Sequence, residues 1–168
     1  MIMNAKKSWK EKTIAPTEKE WAGVIDGLQK EFGVDLFAAG YDKEEMTKLQ
    51  WAFSEAIYNK VKHGNQFNPK KKTNVKWKVT EEGVEVKVKD EGEKFDYEQA
   101  LKDAEKKGKK YASVALLESW NPQDCGAGLA ITLRNLGRES ISYDEGGREV
   151  SLKYKKPRKP MNIFLVQE

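Results

Sequence analysis

The 168 residues leave room for one compact domain with a sizeable core and hardly for two. Charged residues make up 35% of the chain, yet 31 Lys+Arg against 27 Asp+Glu leave a net charge of only +4. That balance argues against a domain built to grip nucleic acid, and 10% aromatic residues argue against disorder. The longest apolar runs are four residues, as in Leu36–Ala39, far short of the roughly 20 that cross a bilayer. Lys6, Lys7, Lys10 and Glu11 stand where a signal peptide would be apolar. The single cysteine, Cys125, can form neither an internal disulfide nor a multi-cysteine metal site. A soluble, cytoplasmic domain is expected, with no membrane association.

Residues 1–16 read either as an edge strand or as an arm. Thr17 with Glu20 reads as a capping box opening a helix that carries Trp21, Val24, Ile25 and Leu28, with Gly33 as its expected stop. A second box, Asp42 with Glu45, opens a stronger helix to about His63, whose apolar stripe is Met46, Leu49, Phe53, Ala56, Ile57 and Val61. Gly64 and Asn65 supply the break. The polar stretch 65–73, with Lys70, Lys71 and Lys72, reads as a solvated loop.

Two strands follow with period two. Val75, Trp77 and Val79 alternate with lysines, and Val84, Val86 and Val88 alternate with Glu85, Lys87 and Lys89. Glu82-Gly83 between them makes an antiparallel hairpin, with Trp77 in the core. Residues 97–125 contain one short helical piece and little firm periodicity. Gly128 opens a helix with Leu129, Ile131, Leu133 and Leu136. The last hairpin sets Ile141 and Tyr143 against Val150, Leu152 and Tyr154 across Gly146-Gly147. Helices grouped against antiparallel hairpins predict an α+β two-layer sandwich, a mixed, mostly antiparallel sheet covered on one face.

Three clusters carry candidate chemistry. Glu55, Asn59 and His63 are spaced i, i+4, i+8, one polar stripe in which a carboxylate and a carboxamide one turn apart can orient a nucleophile and ligate a hard cation. Read alone, the stripe is equally an ordinary solvated helix face. Asp90-Glu91-Gly92-Glu93-Lys94-Phe95-Asp96 ends a strand with an acceptor beside glycine, where a planar ligand can approach closely. Gly126-Ala127-Gly128-Leu129 precedes a helix and can turn backbone N–H groups toward an anion. Each of these has a bland alternative too, a turn and a flexible helix start.

In this order the clusters resemble the N, G1 and G2 boxes of the Bergerat (histidine-kinase-like) ATP-binding fold. The string E-A-x-x-N-x-x-x-H-G from Glu55 to Gly64 is the most specific part. Within that superfamily, D-E-G-x-x-F-D from Asp90 to Asp96 resembles the anti-sigma-factor serine/threonine kinases. The resemblance implies ATP and Mg²⁺ as cofactors. Glu55 would be the general base, Asn59 the Mg²⁺ ligand, and Asp90 the acceptor for the adenine amino group, with Gly92 letting the ring approach. Gly126 and Gly128 would contact the phosphates through their backbone. His63, Lys94, Phe95, Ala127 and Leu129 fall in the same boxes and count among the nucleotide-contacting residues, and 97–125 would be the ATP lid of a single 1–168 domain. The implied partners are a sigma factor and a small STAS-type antagonist, with a homodimer suggested and no direct nucleic-acid contact. The alternative is a non-catalytic module of the same fold that docks partners. Three positions depart from the family pattern: Lys94 for a glycine, Arg148 for a threonine, and Lys60 for the alanine after the asparagine, where it is expected to sit exposed.

Overall fold

A computed structural model describes residues 8–110, 127–144 and 146–157. Strand β1 (Lys10–Ile14) precedes helices α1 (Trp21–Ala38) and α2 (Lys43–Asn59), and a π-helical turn, Lys60–Gly64, extends α2. Strands β2 (Thr73–Val79) and β3 (Gly83–Asp90) follow, then helices α3 (Tyr97–Lys110) and α4 (Ala127–Leu136). A 3-10 turn, Arg138–Ser140, leads into β4 (Ile141–Tyr143), and β5 (Glu149–Lys155) completes the sheet. The strand order is β1-β2-β3-β5-β4, and every described pairing is antiparallel. Of the stretch 1–16, Lys10–Ile14 is thus an edge strand, and residues 1–7 lie outside the described residues.

Alternation decides which sheet face is covered. In β2 and β3, Val75, Trp77, Val84, Val86 and Val88 are buried. Trp77 pairs with Val86 and Val75 with Val88, which puts these side chains on one face. Burying a valine contributes on the order of 1.5–3 kcal/mol, so this stripe fixes the register: a one-residue slip would turn it to water. Phe32 of α1 stacks on Phe53 of α2 at 4.3 Å, and Phe53 meets the Trp77 ring edge-on at 5.6 Å. The indole N–H of Trp77 donates to Asp35 at 2.8 Å. The two-layer α+β sandwich is as expected. Among the described residues no helix is long and apolar enough to cross a membrane.

Two helix boundaries differ from expectation. α1 begins at Trp21, because Thr17 and Glu20 close a turn before it: Glu20 accepts from the Thr17 N–H at 3.0 Å and from its hydroxyl at 2.8 Å. Gly33 does not stop α1 but lies inside it, at the crossing with α2. A Cβ there would come within 2.4 Å of the Gln50 amide nitrogen, so the glycine lets the Gln50 side chain lie directly against α1. The helix instead ends before Gly40, whose φ of +75° leaves the helical region. The Asp42–Glu45 box forms in full, with Glu45 N–H donating to Asp42 at 2.9 Å and Asp42 N–H to Glu45 at 3.1 Å.

Candidate nucleotide site

α2, its π-helical extension, the end of β3, α4 and the β4–β5 pair enclose a cavity of about 440 Å³. That volume lies within the usual range for a small-molecule site. Its two ends are built differently.

At the first end stand Glu55 and Asn59. One helical turn puts them on the same face, and the Asn59 amide donates to Glu55 Oε1 at 3.0 Å. Burial pushes the Glu55 carboxyl above its ordinary value, against the smaller opposing pull of the Asn59 hydrogen bond and of Lys62. The backbone of α4 presses against this carboxylate: a Cβ on Gly128 would lie 1.9 Å from the Glu55 carboxyl carbon. With glycine at this position the first turn of α4 packs directly on the carboxylate, and the positive end of the helix dipole favours an anion there. Tyr143 faces the same region. Burial, and next the Glu55 charge, push its phenol up to about 12. His63, a further turn along α2, lines the cavity while staying exposed. Partial burial and then Lys62 hold its imidazole below the ordinary value.

At the other end Asp90 is only 3% exposed. The Gly92 N–H donates to Asp90 Oδ1 at 2.8 Å. A Cβ on Gly64 would sit 2.4 Å from the Asp90 carboxyl carbon, and one on Gly92 would sit 2.0 Å from the Gly64 carbonyl oxygen. Two glycines therefore let three pieces of backbone close around one carboxylate. Lys60 completes the arrangement: its Nζ lies 3.0 Å from Asp90 Oδ2 and donates to the Gly147 carbonyl. Burial pulls the ammonium below its ordinary value, and Asp90 chiefly opposes that. The expectation that Lys60 sits exposed is wrong, since it is 4% exposed. The signal was present in the sequence. Lys60 is four residues beyond Ala56 and seven beyond Phe53, which puts it on the apolar stripe of α2.

Glu55, Asn59, His63, Asp90, Phe95 and Leu129 all line the one cavity. Gly92 lies under Asp90, and Gly128 abuts Glu55, as described. Lys94 is exposed, with its stem beside Gly146, and does not line the cavity. Ala127 is the first residue of α4, while Gly126 and the latter part of the expected lid, 111–125, lie outside the described residues. The first part of that lid is α3, where Ala100, Asp103 and Ala104 line the cavity. Sequence reasoning missed Lys60 and Tyr143 as site residues. The sequence places Tyr143 only on a strand of the last hairpin, with Ile141.

The family profile of the histidine kinase-like ATPase domain matches residues 28–154, which takes in every described part of the cavity. The chain is also similar to the serine-protein kinase RsbW of Bacillus subtilis (strain 168), at 30% identity over 92 residues. That stretch is 52% of this chain and 53% of the relative. The serine-protein kinase RsbW of Bacillus velezensis matches to the same extent. The chain thus spans about half the length of the curated relatives it matches.

Proposed function

The chain belongs to the histidine kinase-like ATPase domain family, and from that premise we propose that it is an ATP-dependent serine/threonine protein kinase of the anti-sigma-factor type. One observation carries the proposal. A carboxylate raised by burial and hydrogen-bonded to a carboxamide shares one cavity with a second carboxylate clasped by backbone at the far end. A solvated helix face has no need of that arrangement.

The residues fit the groups that the family implies. Asp90 and Phe95 both line the cavity, and each Asp90 oxygen keeps a lone pair beyond the Gly92 N–H and Lys60. Asp90 would accept from the adenine amino group, and Phe95 would border the ring. The Asn59 amide nitrogen is engaged with Glu55, so its oxygen remains for a hard cation. Among the described residues no group of three His, Cys, Asp or Glu could hold a metal unaided. The Asn59 oxygen would therefore share Mg²⁺ with phosphate oxygens. When bound, Mg·ATP supplies a transferable phosphoryl group with its charge partly neutralised. Glu55 takes the proton from an incoming serine or threonine hydroxyl. Its raised carboxyl brings it closer to the pH at which a base both exists deprotonated and holds a proton well. The α4 N-terminus, through the Gly128 backbone, would meet the phosphates, and His63 would line the cavity beside them. The protein substrate would be a small STAS-type antagonist, and the sequestered partner a sigma factor.

A docking module without catalysis is the second reading. The observation in its favour is the Lys60–Asp90 ion pair, which already engages one carboxylate oxygen. Calorimetric titration with ATP, with and without Mg²⁺, separates the two. The kinase reading expects saturable binding strengthened by Mg²⁺; no heat at millimolar ATP would leave the docking module.

A further inference from the structure

The family resemblance places alanine at the position of Lys60, so it gives this lysine no task. An ammonium carries three N–H donors. One faces Asp90 Oδ2 at 3.0 Å and another goes to the Gly147 carbonyl. The third has no hydrogen-bond acceptor among the described residues. The rings of Phe95 and Tyr143 lie 5.5 and 5.6 Å from Nζ, and all three residues line the cavity. Leaving a buried N–H without an acceptor is costly, so an arrangement with one donor spare favours a ligand that brings an acceptor.

Asp90 is spare in the complementary sense. Oδ1 takes the Gly92 N–H and Oδ2 faces Lys60, which leaves each oxygen a further lone pair. The ion pair therefore sets one donor and one acceptor side by side at the cavity wall. Both are held by partners on other elements: Gly147 in the β4–β5 turn and Gly92 beyond β3. The edge that fits is a heterocycle with an N–H donor next to a lone-pair acceptor. Adenine offers this in its 6-amino group and ring nitrogen N1.

We propose that Lys60 reads the base, its third N–H donating to adenine N1 while Asp90 accepts from the 6-amino group. Lys60 is then a specificity-determining residue, and its ion pair with Asp90 is the device that aims both. The inference rests on reading the cavity as an ATP site. A guanine edge presents the carbonyl and the ring N–H in the reverse order, so it mismatches a pair already fixed in place. An adenine with carbon at position 1 keeps its shape and its amino group but sets a C–H against the ammonium.

The test measures binding of ATP, 1-deaza-ATP and GTP to the full chain by calorimetry, for the unsubstituted protein and for Lys60→Met. The unsubstituted protein should bind ATP about tenfold or more tighter than 1-deaza-ATP, the usual discrimination from a charge-assisted hydrogen bond. In Lys60→Met that ratio should fall to about twofold or less, whatever happens to absolute affinity. Because Lys60→Met leaves Asp90 buried without its cation, a measurement without substitution accompanies it. With ¹⁵N-lysine labelling, the Lys60 Nζ resonance should move on adding ATP and stay in place with 1-deaza-ATP. Equal binding of the two analogues, a ratio unchanged in Lys60→Met, or GTP binding tighter than ATP would each overturn the assignment while leaving a nucleotide site. No ATP binding at all would remove the nucleotide reading and this inference together.

Discussion

The two ends of the cavity handle buried charge in opposite ways. At the Asp90 end the charges are matched: carboxylate and ammonium lie 3.0 Å apart, each takes one backbone partner besides, and almost nothing is exposed. At the Glu55 end the carboxylate has one carboxamide donor, a phenol and a helix terminus nearby, and burial dominates its titration. A matched pair resists change and suits recognition, whereas a carboxylate short of partners suits proton transfer. Lys60 of the pair and Glu55 stand on one continuous helical segment, five residues apart, while Asp90 ends β3. The π-helical turn beginning at Lys60 separates the two environments, and such turns are often found at functional sites.

The largest effect expected from breaking this contrast is at the matched end. Asp90→Ala leaves Lys60 buried without its partner and should cost about 3–5 kcal/mol of stability in urea denaturation. The double substitution Asp90→Ala with Lys60→Met removes both charges and should regain much of that loss. An Asp90→Ala variant as stable as the parent would mean that the pair is not closed to water.

At the other end the sign reverses. The Glu55 carboxyl is raised in the folded protein, so between its ordinary value and that raised value the folded state holds more protons than the unfolded chain. Stability therefore falls as pH rises through this window, and above it the whole penalty is present. Glu55→Gln removes the titration, so its thermal midpoint should exceed the parent's at neutral pH, with the gap closing as pH falls below the ordinary carboxylate value. Melting curves across pH check this, and a lower midpoint for Glu55→Gln at neutral pH would show that partners, not burial, govern Glu55.

Asp42→Ala, at the far end of α2, gives the smallest effect. Losing the capping box should cost about 1 kcal/mol in thermal unfolding and leave ATP affinity unchanged, since neither Asp42 nor Glu45 lines the cavity. A large change in ATP affinity would mean that α2 moves as a lever.

Much of this was readable from the sequence because it depends on local rules. The Asp42–Glu45 box and the alternating valines needed only helix-start chemistry and the two-residue strand period, and both formed as expected. The Glu55, Asn59 and Asp90 cluster was readable through spacing joined to a family pattern. What escaped was decided by long-range contact. Gly33 looked like a stop because nothing nearby says that Gln50 will cross there. Lys60 looked like a surface lysine because its partners, Asp90 and Gly147, lie 30 and 87 residues further along the chain. Charge misled where periodicity already put Lys60 on the inward face.

The central claim is that one end of the cavity transfers a proton while the other holds the nucleotide. Paired calorimetry and radiolabel transfer to a STAS-type antagonist, on Glu55→Gln and Asn59→Ala, test it most directly. Glu55→Gln should bind Mg·ATP within a few-fold of the parent while transfer falls by about 10²–10⁴, the usual contribution of a general base. Asn59→Ala should lose Mg²⁺-dependent binding and transfer together, because the metal neutralises charge in both states. If Glu55→Gln transfers phosphate at the parent rate, or if both variants bind and transfer normally, the account is contradicted and the Glu55–Asn59 stripe is no catalytic centre.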